Sequence, residues 1–214
     1  MHVLDDPGGE ADIVIQVANF EDQSGGLYNS PSLGETESLF RTRNIAILLD
    51  ILVFGALFMM GLYYLGLFLY RRSDHSFLHF ALLCIGLCLR QLCYGEVVIM
   101  DIFPDLPFIV VYRAGYILYC ASLVAFVRFI KELFPAESWK PAVRTIDVVS
   151  LLYAGVCLVA PPRIYASLLM YYQLFTLASG AYILSVLGRV IFHRRPGGMV
   201  FLAGFVVLFA AAIH

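Results

Sequence analysis

Residues 44–70 read NIAILLDILVFGALFMMGLYYLGLFLY and carry one charged side chain, Asp50. As a helix this stretch is roughly 40 Å long. It has no polar face, and a helix that is apolar all round must be buried in protein or in lipid. Five more stretches of the same kind follow: Phe77–Met100, Pro107–Phe129, Val143–Ala160, Ile164–Phe192 and Gly198–His214. About 18 consecutive apolar residues are enough to cross a bilayer. The pattern predicts an all-α transmembrane helix bundle with six spans, at about 44–70, 77–100, 107–129, 143–160, 164–192 and 198–214.

Composition points the same way. The chain is 61% hydrophobic and 14% charged, against roughly 25% charged residues in an average soluble protein. The net charge of −2 says little about partners. The five cysteines (Cys84, Cys88, Cys93, Cys120 and Cys157) all lie in apolar stretches, without the clustered His, Cys or carboxylate ligands that a metal needs. They read as small packing residues. No metal site, cofactor site, phosphate-binding glycine loop or nucleic-acid-binding pattern is expected.

Residues 1–43 differ in kind. They hold eight acids and two bases, Arg41 and Arg43. Ala11–Phe20 alternates around Ile13, Ile15 and Val17, which predicts a strand with one buried face, and Ser24-Gly25-Gly26 is a turn signal. One strand cannot fold alone. The segment therefore reads as the end of a larger β domain plus a linker. The sixth stretch stops at His214 after 17 residues, so the chain reads as a fragment that ends inside a membrane domain.

Orientation follows from the basic residues. With the N-terminal tail outside, the inner ends and loops hold Arg71, Arg72, Arg128, Lys131, Lys140, Arg144, Arg189, Arg194 and Arg195. The outer side holds Arg41, Arg43 and Arg163. The positive-inside rule then places the N-terminus outside the cytoplasm. The inner loops, Arg71–Ser76, Ile130–Ala142 and His193–Gly197, are too short for a soluble domain, so successive helices are expected to pack antiparallel. Small residues should allow the closest approach, with Gly55, Gly61, Gly66 and the Ala178–Ala181 patch as candidates.

Charges inside lipid are costly, so they mark either structural pairs or function. Asp50, Arg90, Glu96 and Arg113 fall in the outer half of the bundle, and Asp147 lies near the inner edge. The first four form a candidate intramembrane polar cluster, with Asp50 or Glu96 pairing to Arg90 or Arg113. Ser179 and His214 sit on separate spans, the minimum for intramembrane hydrolysis. No oxyanion-type polar group accompanies them, and Ser179 reads as a packing residue. No catalytic residue is expected.

Two segments carry a family resemblance. Asp12–Gly26, DIVIQVANFEDQSGG, resembles the closing strand and turn of the extracytoplasmic jelly-roll domain of bacterial seven-transmembrane receptors with diverse intracellular signalling modules. Gly55–Phe80, GALFMMGLYYLGLFLYRRSDHSFLHF, resembles the first span, basic loop and second-span start of the same family. The resemblance implies a seventh helix, the rest of an outer jelly-roll domain with a small-molecule ligand (carbohydrate, by the likeness of that fold), and a cytoplasmic signalling module in cis. That module would be a cyclase, kinase or phosphatase. Output enzymes that work in pairs imply a homodimer.

The expected function is a membrane sensor core, itself not an enzyme, that passes an outer signal to a cytoplasmic output. The alternative is a small-solute transporter or a membrane-embedded enzyme. A transporter should show internal repeats and helices broken at mid-membrane, and neither is evident. Pro161, Pro162 and Pro196 lie at span ends.

Overall fold

The computed structural model describes residues 36–93, 107–193, 201, 202 and 204. Among them the chain forms five long helices: α1 (Thr36–Tyr70), α2 (His75–Cys93), α3 (Phe108–Leu133), α4 (Lys140–Val159) and α5 (Pro162–Phe192). All five are long and apolar enough to cross a membrane. Phe201, Leu202 and Gly204, in the sixth expected stretch, are also helical. The predicted strand at Ala11–Phe20 lies outside the described residues, as does Glu96. No strand occurs among the described residues.

Lipid offers no hydrogen-bond partner, so each spanning segment must satisfy its own backbone, which a helix does. Proline is confined to starts: Pro141 and Pro162 stand in the first two positions of α4 and α5, where their missing N–H costs nothing. The third, fourth and fifth spans begin and end within a few residues of expectation, and the second begins two residues before it, its expected end lying outside the described residues. The first differs, since α1 begins at Thr36 rather than Asn44. Glu37 in its first turn suits the positive end of the helix dipole, and Thr42 Oγ1 donates to Ser38 O at 3.0 Å. Arg41 and Arg43 are therefore helical residues rather than parts of a linker.

The turns are tight. Between α1 and α2, Arg71 N bonds to Leu67 O at 2.8 Å and Asp74 N to Arg71 O at 3.2 Å. The Asp74 carboxylate caps α2, accepting from Ser76 N at 3.2 Å and from Ser76 Oγ at 2.6 Å. The hydroxyl's hydrogen bond foremost, opposed by burial and helped by the Ser76 N–H and the nearby Arg71, holds the Asp74 carboxyl below its ordinary value of 3.8. The α3–α4 connection runs from Phe134 to Trp139, and Trp139 N bonds to Tyr182 Oη of α5 at 2.9 Å.

Consecutive helices pack side by side, α1 on α2, α2 on α3 and α3 on α4, while α5 closes against α3 and α4. Short turns make α1–α2, α3–α4 and α4–α5 antiparallel, and α2 runs against α3 because Phe80 meets Phe129 while Arg90 meets Tyr119. One end of the bundle thus gathers Arg71, Arg72, Lys131, Lys140, Arg144 and Arg189, and the other gathers Arg41, Arg43 and Arg163. Of the three glycines singled out on α1, Gly61 makes the helix contact: a Cβ there would lie 2.8 Å from Ile85 Cγ1 and 3.4 Å from Cys84 Cβ, whereas Gly55 and Gly66 face open space. A second approach, equally close, was not foreseen. A Cβ on Gly86 of α2 would lie 2.8 Å from Ser122 Oγ of α3. Ser122 is buried, and its hydroxyl has no hydrogen-bond partner among the described residues.

The core is centred on α3, α4 and α5, with Val127, Cys157, Tyr165, Ile183, Leu187 and Val190 almost fully enclosed. Four of the five cysteines are buried and all five are free thiols, matching their reading as packing residues. Towards the basic end, aromatic rings form a ladder across the bundle. Tyr64 of α1 meets Phe80 of α2 at 4.4 Å, Phe80 meets Phe129 of α3 at 5.1 Å, and Phe201 lies 6.0 Å from Phe129 and 5.9 Å from Phe134. Such ring pairs add about 0.5–1.5 kcal/mol each beyond area burial.

Candidate functional site

Asp50 sits about 21 Å along α1 from Thr36. Its Oδ1 accepts a hydrogen bond from Gln91 Nε2 of α2 at 2.8 Å. The next residue on α2, Arg90, lays its guanidinium over the Tyr119 ring of α3, 5.0 Å from the ring centre. A cation over an aromatic face is worth about 0.5–2 kcal/mol, more when water is excluded.

The contacts continue inward from Tyr119. Its ring stands edge-on to Tyr172 of α5 at 5.5 Å. Tyr172 donates its hydroxyl to Ser150 Oγ of α4 at 3.0 Å, a fully buried bond, and stacks on Tyr153 of α4 at 4.4 Å. Tyr153 in turn donates to the backbone carbonyl of Tyr165 at 2.9 Å. The Tyr165 ring packs against Tyr116 of α3 at 5.1 Å, and Tyr116 donates to the Tyr112 hydroxyl at 2.9 Å. A belt of polar and aromatic contacts therefore runs from α1 through α2, α3 and α5 to α4. Tyr119 and Tyr172 both lie roughly 15 Å from the starts of their helices, near the middle of a hydrocarbon layer about 30 Å thick. A buried polar network of this kind is costly when half-made and specifies geometry when complete.

The expected cluster is thus distributed. Asp50 and Arg90 both belong to the belt, linked by the adjacency of Gln91 and Arg90. Arg113 stands apart, near the start of α3. Its Nη1 donates to Leu158 O at 3.0 Å and its Nη2 to Ala160 O at 3.2 Å, fastening the last turn of α4. These are carbonyls that a helix end leaves without intrahelical partners, and a cation there also suits the dipole. Gln91, the partner of Asp50, was passed over in the sequence because only charged residues were matched by depth. Arg128 and Asp147 were noted singly. They form an ion pair between α3 and α4, with Nη2 3.1 Å from Oδ2 and the Nε also donating to the carboxylate. Each lies roughly 8–10 Å from the nearer, basic end of its helix, so the same depth rule would have found them.

The chemistry available is limited. No group of three His, Cys, Asp or Glu side chains could hold a metal ion among the described residues. Ser179 is buried and donates its hydroxyl to Phe175 O of its own helix at 2.8 Å, which is a packing arrangement; His214 lies outside the described residues. What the belt offers is mechanical: a row of directional contacts that ties α1 to every other described helix.

Five membrane-length apolar helices, packed side by side, define a multi-pass membrane protein. The family model for 7TM diverse intracellular signalling matches residues 46–214. The chain belongs to that family, as the motifs around Gly55–Phe80 suggested. No curated protein and no solved structure matches the chain.

Proposed function

We propose that this chain is the membrane core of a bacterial sensor that carries an extracytoplasmic ligand signal through its helices to a cytoplasmic output module in cis. The observation that carries this reading is the belt. Helix α1 directly follows the acidic N-terminal segment, and Asp50–Gln91 and Arg90–Tyr119 couple it laterally to α2 and α3. A ligand shifts such a bundle only if it favours one of two arrangements, and a row of directional contacts lends itself to two discrete arrangements. The aromatic ladder at the basic end supplies a second lateral link, reaching Phe201. The basic end supports a cytoplasmic assignment for that face and an outer location for the N-terminus, in the inner membrane. The segment itself senses rather than catalyses, with the bilayer, a small outer ligand, the output module and a second copy of the chain as its partners.

A transport reading calls for helices broken at the level of the site, whereas the five described helices run through that level unbroken. The test uses the full-length protein with its output measured in cells. Gln91→Leu and Arg90→Leu should leave the protein in the membrane and fix the output at one level, stimulated or not. Variants that respond like the wild type would remove the belt from signalling.

A further inference from the structure

The outward face of α4 shows a feature that sensing does not use. Pro141, Arg144, Thr145, Val148 and Val149 line an open groove of about 350 Å³ at the basic end of the helix. Its walls are largely apolar, and Arg144 is its one charged residue. The Arg144 side chain is exposed and makes no hydrogen bond or ion pair among the described residues. Asp147, the acid of α4, is taken by Arg128 at 3.1 Å, and Thr145 Oγ1 is turned to Pro141 O at 3.0 Å. Lys140 is exposed one helical turn before Arg144.

Continuing along the same stripe, the surface becomes purely apolar, with Val148, Leu151 and Leu152 all exposed. From Lys140 to Leu151 the helix rises about 16 Å, close to the roughly 15 Å of one leaflet's hydrocarbon. Lys140 and Arg144 therefore stand at the head of the groove, and exposed apolar surface continues from it along α4 to about the depth of one leaflet.

We infer that this groove is a binding site for a single anionic phospholipid, its phosphate held by Arg144 and Lys140 and an acyl chain lying along Val148 and Leu151. The argument is charge complementarity joined to length. A zwitterionic lipid would leave the paired cations uncompensated, and a free phosphate would leave the apolar surface unused. Arginine suits the phosphate because its planar fork can make two parallel hydrogen bonds.

The chain has one tryptophan. Trp139 is exposed and lies two residues before Pro141, so its fluorescence reports from the start of α4 beside the groove. The experiment places the whole chain in phosphatidylcholine vesicles with a minority of lipid brominated near the glycerol end, either phosphatidylglycerol or phosphatidylcholine. Brominated phosphatidylglycerol should quench Trp139 preferentially. With roughly fivefold attraction per basic residue near an anionic headgroup, Lys140→Gln with Arg144→Gln should lower the preference by about 25-fold. Arg144→Lys should keep most of it, and Arg71→Gln with Arg72→Gln, at the same end of the bundle, should keep all of it. Equal quenching by both lipids in the wild type would overturn the inference. So would a preference that survives loss of Lys140 and Arg144, or one lost equally with Arg71 and Arg72. Displacement of the brominated lipid by inorganic phosphate would assign the site to a free anion instead.

Discussion

Gln91 on α2 donates its side-chain amide to the carboxylate of Asp50 on α1, at 2.8 Å, in a partly buried contact between the two helices. The bond joins the first span to the rest of the bundle, and its partners are unequal. Glutamine can lose its role to leucine without leaving a charge behind, whereas Asp50 cannot be left alone cheaply.

That asymmetry sets the first expectation. Gln91→Leu strands an acceptor and should lower stability by about 1–3 kcal/mol. Asp50→Leu combined with Gln91→Leu replaces both partners by apolar groups and should recover much of the loss. Thermal unfolding in a fixed detergent or nanodisc, run as a double-mutant cycle, checks this. Additive losses would show that the two residues do not interact.

Gly86 faces Ser122 so closely that a methyl group would come within 2.8 Å of the hydroxyl. Gly86→Ala should push α2 from α3 at a cost of about 1–3 kcal/mol, and Ser122→Ala in the same background should return part of it. Gly55, with nothing within 4 Å, is the control: Gly55→Ala should be neutral or stabilise by up to about 1 kcal/mol through helix propensity. The same unfolding measurement reads all three.

Arg113 holds the carbonyls of Leu158 and Ala160. Arg113→Leu should fray the end of α4, with hydrogen exchange rising at the α4–α5 turn well before it rises in α2. Arg113→Lys should rescue little, since a single ammonium does not reproduce the two-pronged contact. Exchange that rises evenly over the bundle would contradict a local fastening role.

The Asp74 cap gives a pH dependence. Its carboxyl is held below the ordinary value of 3.8, first by the Ser76 hydroxyl. A depressed folded value means the capping stability is complete above the unfolded value and is lost as pH falls through the folded one. Stability should therefore be flat near neutrality and decline below about pH 4, and Ser76→Ala should shrink that decline. At neutral pH, Asp74→Ala should cost about 0.5–2 kcal/mol. Acid titrations of unfolding in wild type and Ser76→Ala test the sign; a larger decline in the variant would contradict it.

Hydropathy locates spans well because bilayer thickness acts directly on apolar length: α3, α4 and α5 lie close to where their stretches placed them, and α2 begins two residues before its expected start. It misjudged the start of α1 because Glu37, Arg41 and Arg43 end the apolar run but do not end the backbone hydrogen bonding. It gives little rotation about each axis. A helix apolar on every side carries no stripe to show which face meets its neighbour. Thus Gly61 was as plausible a contact as Gly55 and Gly66, and Gly86 was not distinguished at all. The tyrosine pairs show the same gap: Tyr63 and Tyr171 are exposed, whereas their neighbours Tyr64 and Tyr172 meet Phe80 and Tyr153. Depth matching set Asp50 and Glu96 against Arg90 and Arg113 but overlooked the uncharged Gln91, which meets Asp50; Arg113 reaches the carbonyls of Leu158 and Ala160, and Glu96 lies outside the described residues.

The coupling of α1 to its neighbours through the belt is tested most directly by distance. Spin labels at the exposed positions Leu48 on α1 and Leu89 on α2 report the separation of the two helices in nanodiscs by pulsed electron resonance. The wild type should show two separations, and Gln91→Leu should collapse them to one. A single narrow separation, unchanged by Gln91→Leu, would contradict the belt as a two-position device.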